Sequence, residues 1–225
     1  MIASHPFFQK SEKEQGQFQI KVGLVALVVN VLLSGLLVYL GFYFLPAIFL
    51  AITISIIAPF IDVPTLVKNG GMIYYSPMFL AEKEKNGIIT IHGGTLFDYY
   101  FMIDRKLNGK QRTNLIMLYC LEGMINLIEK YEKEPAHNVQ VRGTSYIINE
   151  RTANKIGLVK TKTNGGQQLI LIFNYFNLMS SYSIAKAKLS FPNLGKTNSF
   201  QGEMVDLIDR KEYLISLKKR LQSHL

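Results

Sequence analysis

From Val22 to Ile61 the chain carries no Asp, Glu, Lys or Arg, and 29 of these forty positions are Val, Leu, Ile, Phe or Ala. A membrane-crossing helix needs roughly 20 consecutive apolar residues, so the stretch is long enough for two. Gly41 and Pro46 bracket the aromatic cluster Phe42, Tyr43 and Phe44, which predicts a tight turn between one helix near 20–41 and a second near 45–61. Tyr39 and Tyr43 suit the headgroup level, where amphipathic rings concentrate. Ala26, Asn30 and Ser34 share a face of the first helix, and Ala47, Ala51 and Ser55 share a face of the second. Small, weakly polar stripes let membrane helices approach closely. These faces are expected to pack on each other or, alternatively, to form the seam of a homo-oligomer, with Asn30 as a helix–helix hydrogen-bonding group. A soluble protein burying the same hairpin would need a larger core than the remaining residues can build.

The pattern changes on either side. Residues 1–21 form a polar arm with Phe7 and Phe8; its long charged region and the missing small-residue cleavage site are unlike a secretory signal. Residues 62–71, with Pro64, Gly70 and Gly71, read as a linker. Strands are predicted at 72–80 and 88–92 around the Asn86-Gly87 turn, and at 96–103, where a helix is the open alternative. Leu115, Leu118, Leu121, Ile125 and Ile128 recur at helical spacing and predict a helix over 114–133, stopped by Pro135. A strand at 139–148 and a short helix at 150–156, ended by Gly157, follow. Strands at 158–163 and 168–175 are expected around Asn164-Gly165-Gly166. Residues 176–198 carry a poor signal, and 199–225 read as one amphipathic helix that packs on its own domain or holds a partner. The fold class is a membrane-anchored α+β protein: an N-terminal arm (1–21), a two-helix transmembrane hairpin (22–61), a linker (62–71), an α+β domain with a mixed or antiparallel sheet and packed helices (72–175), and a C-terminal segment (176–225).

Charge orients the hairpin. Lys10, Lys13 and Lys21 precede it, Lys68, Lys83 and Lys85 follow it, and the turn is uncharged; positive flanks stay inside, so both termini are expected in the cytoplasm and the chain in the inner membrane if it is bacterial. Residues 62–225 hold 22 Lys and Arg against 14 Asp and Glu, +8 of the chain's +9. That balance suits an anionic partner, first of all an anionic leaflet. Nucleic acid is not favoured, because the cations are dispersed and no recognition signature occurs. His5, His92, His137 and His224 cluster neither with each other nor with the one cysteine, Cys120, so metal-ligand spacing is missing. Cys120 lies among Leu115, Ile116, Leu118 and Leu121, where a free Cys behaves as a small apolar residue.

The order of three strands, a basic Gly-containing loop, a long helix, a strand, a short helix ending in Gly and two strands resembles the second half of the GNAT acyltransferase superfamily. That family binds the pyrophosphate of acyl-CoA on backbone N–H groups of a [QR]xxGx[GA] loop at the start of the long helix, a helix N-terminus being an anion site. In the segment DRKLNGKQRT (104–113), Gly109 aligns with the first glycine, Lys106 stands at the Gln/Arg position and Gln111 replaces the last Gly or Ala. The resemblance implies acyl-CoA as cofactor, held by Lys106, Asn108, Gly109, Lys110, Gln111 and Arg112, with Arg105 adding charge. NERTANKIGL (149–158) is similar to the family's Asn…Tyr-x-x-x-Gly-Phe segment, with Ala153 where the acid Tyr belongs and Leu158 in place of Phe. Acyl transfer needs a base for the acceptor and an acid for the leaving thiolate. His92 is the candidate base and Tyr146 the candidate acid, with Asp98 and Glu122 in reserve. The expected function is that of a membrane-anchored acyltransferase-like protein acting on a membrane-proximal acceptor; the alternative is a non-catalytic, membrane-tethered interaction or assembly subunit.

Overall fold

A computed structural model describes residues 5–133, 139–145, 148, 150–162 and 165–223. Helix α1 (Glu12–Tyr39) begins where Ser11 and Glu14 cap each other: the Glu14 amide donates to Ser11 Oγ at 3.3 Å and the Ser11 amide donates to Glu14 Oε2 at 2.9 Å. Hydrogen bonds from Ser11 hold the Glu14 carboxyl below its usual range. Gly41, at φ +83°, makes the turn, and α2 (Leu45–Lys68) starts with Pro46 in its first turn. Both helices are long and apolar enough to cross a membrane by length and composition, and most of their apolar side chains face outward.

The small face of α1 is the buried one, at Ala26 and Asn30 with Ser34 half-covered. The small face of α2 is not, since Ala47 and Ala51 are exposed. Near the base of the hairpin, Phe18 and Val22 instead join Ile56, Phe60 and Val63 in one apolar cluster. Asn30 Nδ2 donates to Ala26 O of its own helix at 2.9 Å, which replaces the expected cross-helix bond. Helix α2 also runs on to Lys68, through the segment read as a linker. Pro64 lacks the N–H that would bind the Phe60 carbonyl, and Gln19 Nε2 of α1 donates to that carbonyl at 3.2 Å. The helix tolerates the proline because its neighbour completes the bonding.

Strands β1 (Met72–Ser76) and β2 (Phe79–Glu82) are a hairpin closed at Pro77-Met78, where a single strand is predicted; the proline ends the first run. Asn86 and Gly87, both at positive φ, turn the chain into β3 (Ile88–Gly93) as predicted. Segment 96–103 takes the helical alternative, α3 (Leu96–Met102), because Thr95 and Asp98 form a capping box. Helix α4 (Gly109–Lys133) starts a turn early, and β4 (Gln140–Ser145), α5 (Glu150–Lys155) and β5 (Val159–Thr161) follow.

Two expectations fail beyond this point. The strand expected at 168–175 and the weak segment after it are helices α6 (Gly165–Phe173) and α7 (Tyr175–Lys186). The single C-terminal helix divides into β6 (Asn198–Glu203), α8 (Met204–Asp209) and α9 (Lys211–Gln222). β6 fits between β4 and β5, burying Phe200 on one face while Gly202 lies against the Gly157 carbonyl, 2.3 Å from where a Cβ would sit. Long-range pairing thus overrides the helical spacing of the segment.

The six strands form one mixed sheet, β1-β2-β3-β4-β6-β5, in which β3 and β4 run parallel and the other pairs antiparallel. One face buries Phe79, Ile89, Val141 and Phe200 against α4, α5, α8 and α9. Helix α9 lies on α4 through the fully buried Leu214 and through Lys211, which pairs with Glu132 at 2.6 Å. The opposite face carries Tyr74 and Leu80 against the base of the hairpin and α3. Gly123 of α4 lies so close to β2 that a Cβ would be 2.3 Å from the Phe79 Cβ. Gly123→Ala is therefore expected to destabilise by about 1–3 kcal/mol through overpacking. Gly16→Ala, in the interior of α1 with nothing within 4 Å, gains about 0.5–1 kcal/mol from helix propensity. Thermal unfolding of the purified chain in detergent should move the midpoint down for the first and level or up for the second.

Candidate functional site

The basic loop and the first turn of α4 form a tightly bonded corner. Asn108 caps the helix, its Oδ1 accepting the amides of Lys110 and Gln111 at 3.0 Å each, and Gln111 Oε1 accepts the Asn108 amide at 3.0 Å. Gly109 meets the end of α7 so closely that a Cβ would lie 2.4 Å from the Lys186 carbonyl oxygen. Arg112 is buried, and its guanidinium donates to the carbonyls of Leu107 and Ile184 at 2.8 Å each and of Arg105 at 2.5 Å. It therefore ties the loop to the C-terminal turn of α7. Lys106 and Lys110 are exposed, the Lys106 amide closing a turn onto Asp104 Oδ1 at 2.8 Å. A shallow depression of about 350 Å³ opens here, lined by Arg105, Arg112, Ser183, Ile184 and Ala187. Free charge at this corner belongs to Arg105, Lys106 and Lys110; the groups nearest the helix start hold the fold.

The second feature is a fork in the sheet. Pairing of β3 with β4 ends at Ile91 opposite Gly143, while β3 continues to Gly93 against β2 and β4 continues to Ser145 against β6. The carboxyl ends of the two parallel strands each follow a different neighbour, and crevices at such ends are where open sheets bind ligands. His92 stands at this end of β3, its Nε2 3.0 Å from Glu82 Oε1. The side chains on this face, beside His92, are polar: Thr90 opposite Arg142, then Thr144 opposite Ser199, their hydroxyls 3.2 Å apart. Tyr146 lies outside the described residues.

The reserve carboxylates have structural surroundings. Glu122 reaches Lys218 of α9 at 3.8 Å. Asp98 is fully buried, accepting the Tyr74 hydroxyl, the Thr95 amide at 2.6 Å and Thr95 Oγ1 at 3.0 Å, with His5 Nε2 at 3.5 Å. Burial, with the Asp98 charge beside it, raises the Tyr74 hydroxyl above its ordinary value. The His5 ring stacks on Phe97 at 5.0 Å and its Nδ1 accepts the Phe7 amide at 3.3 Å. Sequence separation hides this cluster; its one legible part is the Thr95-x-x-Asp98 cap. Among the described residues, no group of three or more His, Cys, Asp or Glu is placed to hold a metal.

Compared with known proteins, the chain matches no family model, and no curated protein or solved structure is significantly similar to it.

Arg112→Ala leaves three carbonyls without their charged donor and is expected to lower stability by on the order of 3 kcal/mol. Lys106→Ala and Lys110→Ala, on exposed side chains, are expected to stay within about 0.5 kcal/mol of the parent; thermal midpoints in detergent separate the two classes. Cys120 turns its sulfur onto the Met78 carbonyl at 3.7 Å, and burial pushes its thiol up to about 12. A maleimide at neutral pH is expected to leave the folded chain unlabelled and to take one equivalent after denaturation, read by mass spectrometry.

Proposed function

We propose that α1 and α2 span a membrane with both ends in the cytoplasm, and that the sheet domain at their base is acyltransferase-like, moving an acyl group from acyl-CoA to a membrane-proximal acceptor. The outward-facing apolar surface of both helices and the positive residues on both flanks support the anchor. The observation that carries the catalytic reading is the fork: parallel strands β3 and β4, joined through the long helix α4, part at their carboxyl ends beside His92 and Gly93-Gly94. In the tautomer the reaction needs, His92 Nε2–H donates to Glu82 Oε1, which fixes the ring and leaves Nδ1 to accept a proton. In the proposed step His92 takes the proton of an acceptor amine or hydroxyl, the acceptor attacks the thioester carbonyl, the C–S bond breaks, and the leaving thiolate is protonated. Tyr146, which follows Ser145 in sequence, is the proposed donor. Arg105, Lys106 and Lys110 would meet the diphosphate from their exposed positions.

A second reading, a non-catalytic tethered subunit, is favoured by a specific observation. Asn108 and the end of α7 already occupy the start of α4, where the cofactor amides would be.

Isothermal titration of the full chain in detergent with CoA and acetyl-CoA separates the two. Saturable binding that weakens in Lys106→Ala and Lys110→Ala and with added salt is expected for the acyltransferase. A folded protein that gives no heat removes that reading and leaves the tethered subunit.

A further inference from the structure

We infer that α6 and α7 form a third membrane element, a re-entrant helical pair that enters the cytoplasmic leaflet and turns back at Asn174; this rests on the membrane reading of the hairpin. The chain carries no Asp, Glu, Lys, Arg or His between Lys162 and Lys186. Helix α6 opens with Gly165, Gly166, Gln167 and Gln168 and continues as Leu, Ile and Phe, yet buries no residue: Leu169 is 56 %, Ile170 62 %, Ile172 58 % and Phe173 75 % exposed. Neighbouring exposed apolar side chains of this kind mark a surface that another apolar phase covers.

The occupant follows from where the tip sits. Ser55 Oγ of α2 donates to the Phe173 carbonyl at 2.8 Å. Ser55 is seven residues before Asp62, the first charge after the apolar stretch, so at 1.5 Å per residue the tip of α6 lies about 10 Å inside that boundary. The exposed apolar end of α6 thus lies beside the apolar part of α2 at that depth, which makes lipid acyl chains the phase that covers both.

Backbone bonding at the bend fits the same environment, because no water is present there to satisfy a broken helix. The Ile170 carbonyl accepts both the Asn174 amide at 3.0 Å and Asn174 Nδ2 at 2.9 Å, and Ser55 serves the Phe173 carbonyl. Helix α7 then returns over about 18 Å at 1.5 Å per residue. It ends at Lys186 and Lys188, matching Lys160 and Lys162 before α6. Of these, exposed Lys162 and Lys188 are placed for an anionic headgroup layer on either side of the pair, while Lys160 pairs with Glu150 at 3.7 Å.

The chain has no tryptophan, so a single introduced Trp reports its own depth. Phe173→Trp, Ile54→Trp in the hairpin and Val205→Trp on α8 replace exposed side chains. Each full-length variant is reconstituted in phosphatidylcholine vesicles containing chain-brominated lipid. The expected result is fluorescence loss at Phe173→Trp matching that at Ile54→Trp, with blue-shifted emission, and none at Val205→Trp. Loss at Ile54→Trp but Phe173→Trp no more quenched than Val205→Trp would overturn the re-entrant pair while the hairpin stands. No loss at Ile54→Trp would overturn the membrane reading and this inference with it.

Discussion

The buried Asp98 carboxylate joins parts of the chain that share no sequence proximity. Its acceptors satisfy the Tyr74 hydroxyl from β1 and the Thr95 cap of α3, and His5 of the N-terminal arm sits 3.5 Å away. A carboxylate at zero exposure is costly unless every lone pair is engaged, so the cluster makes one relative position of arm, strand and helix much better than its neighbours. Aromatic rings then fill the space around it. Phe7 packs on Phe97 at 5.0 Å, Phe97 on Phe101 at 5.1 Å, and Phe18 of α1 on Phe101 at 5.2 Å. Phe60 of α2 joins the same group at 5.9 Å from Phe97. The apolar hairpin is therefore anchored to the sheet by packed rings around a polar centre rather than hung from a free linker.

Backbone carbonyls left open by helix ends and prolines recur as joints. Gln19 serves Phe60, which Pro64 would otherwise leave open; Arg112 serves Ile184 at the end of α7; Ser55 serves Phe173 at the bend. Each is a side chain from one helix completing another, and an unpaired buried carbonyl would cost about 1–3 kcal/mol. These joints explain how α2, α4, α6 and α7 keep fixed mutual positions. They also explain why Arg112 and Gly109, which by residue type alone suit a phosphate, are engaged in the fold. The charges that stay exposed at this corner lie one step outward, on Arg105, Lys106 and Lys110.

His92 and the fork between β3 and β4 face the same side of the sheet as the base of the hairpin, because His92 pairs opposite Leu80 and Leu80 packs under that base. A reaction at this edge would take place next to the surface from which α1 and α2 project. The far face, closed by α4, α8 and α9, is an ordinary apolar core and supplies rigidity.

Composition and local pattern determine a good part of this protein. Forty uncharged apolar positions specify the hairpin and its turn, Asn86-Gly87 specifies its reversal through positive φ, and the 3–4 spacing of leucines and isoleucines specifies α4. Such features depend on neighbours within a few residues. Segment 96–103 follows a local cap that the sequence itself carries, Thr95 with Asp98, whereas the identity of segments 168–175 and 198–203 was decided by tertiary structure. There β6 becomes a strand by pairing with both β4 and β5. Residues 165–186 become two helices, of which α7 packs on α2 and α6 touches it through the Ser55–Phe173 hydrogen bond. The candidate site divides the same way. His92 and the basic loop are legible as residue types, but the bond from the Arg112 guanidinium to the Ile184 carbonyl joins elements more than seventy residues apart, and local sequence carries no record of that contact.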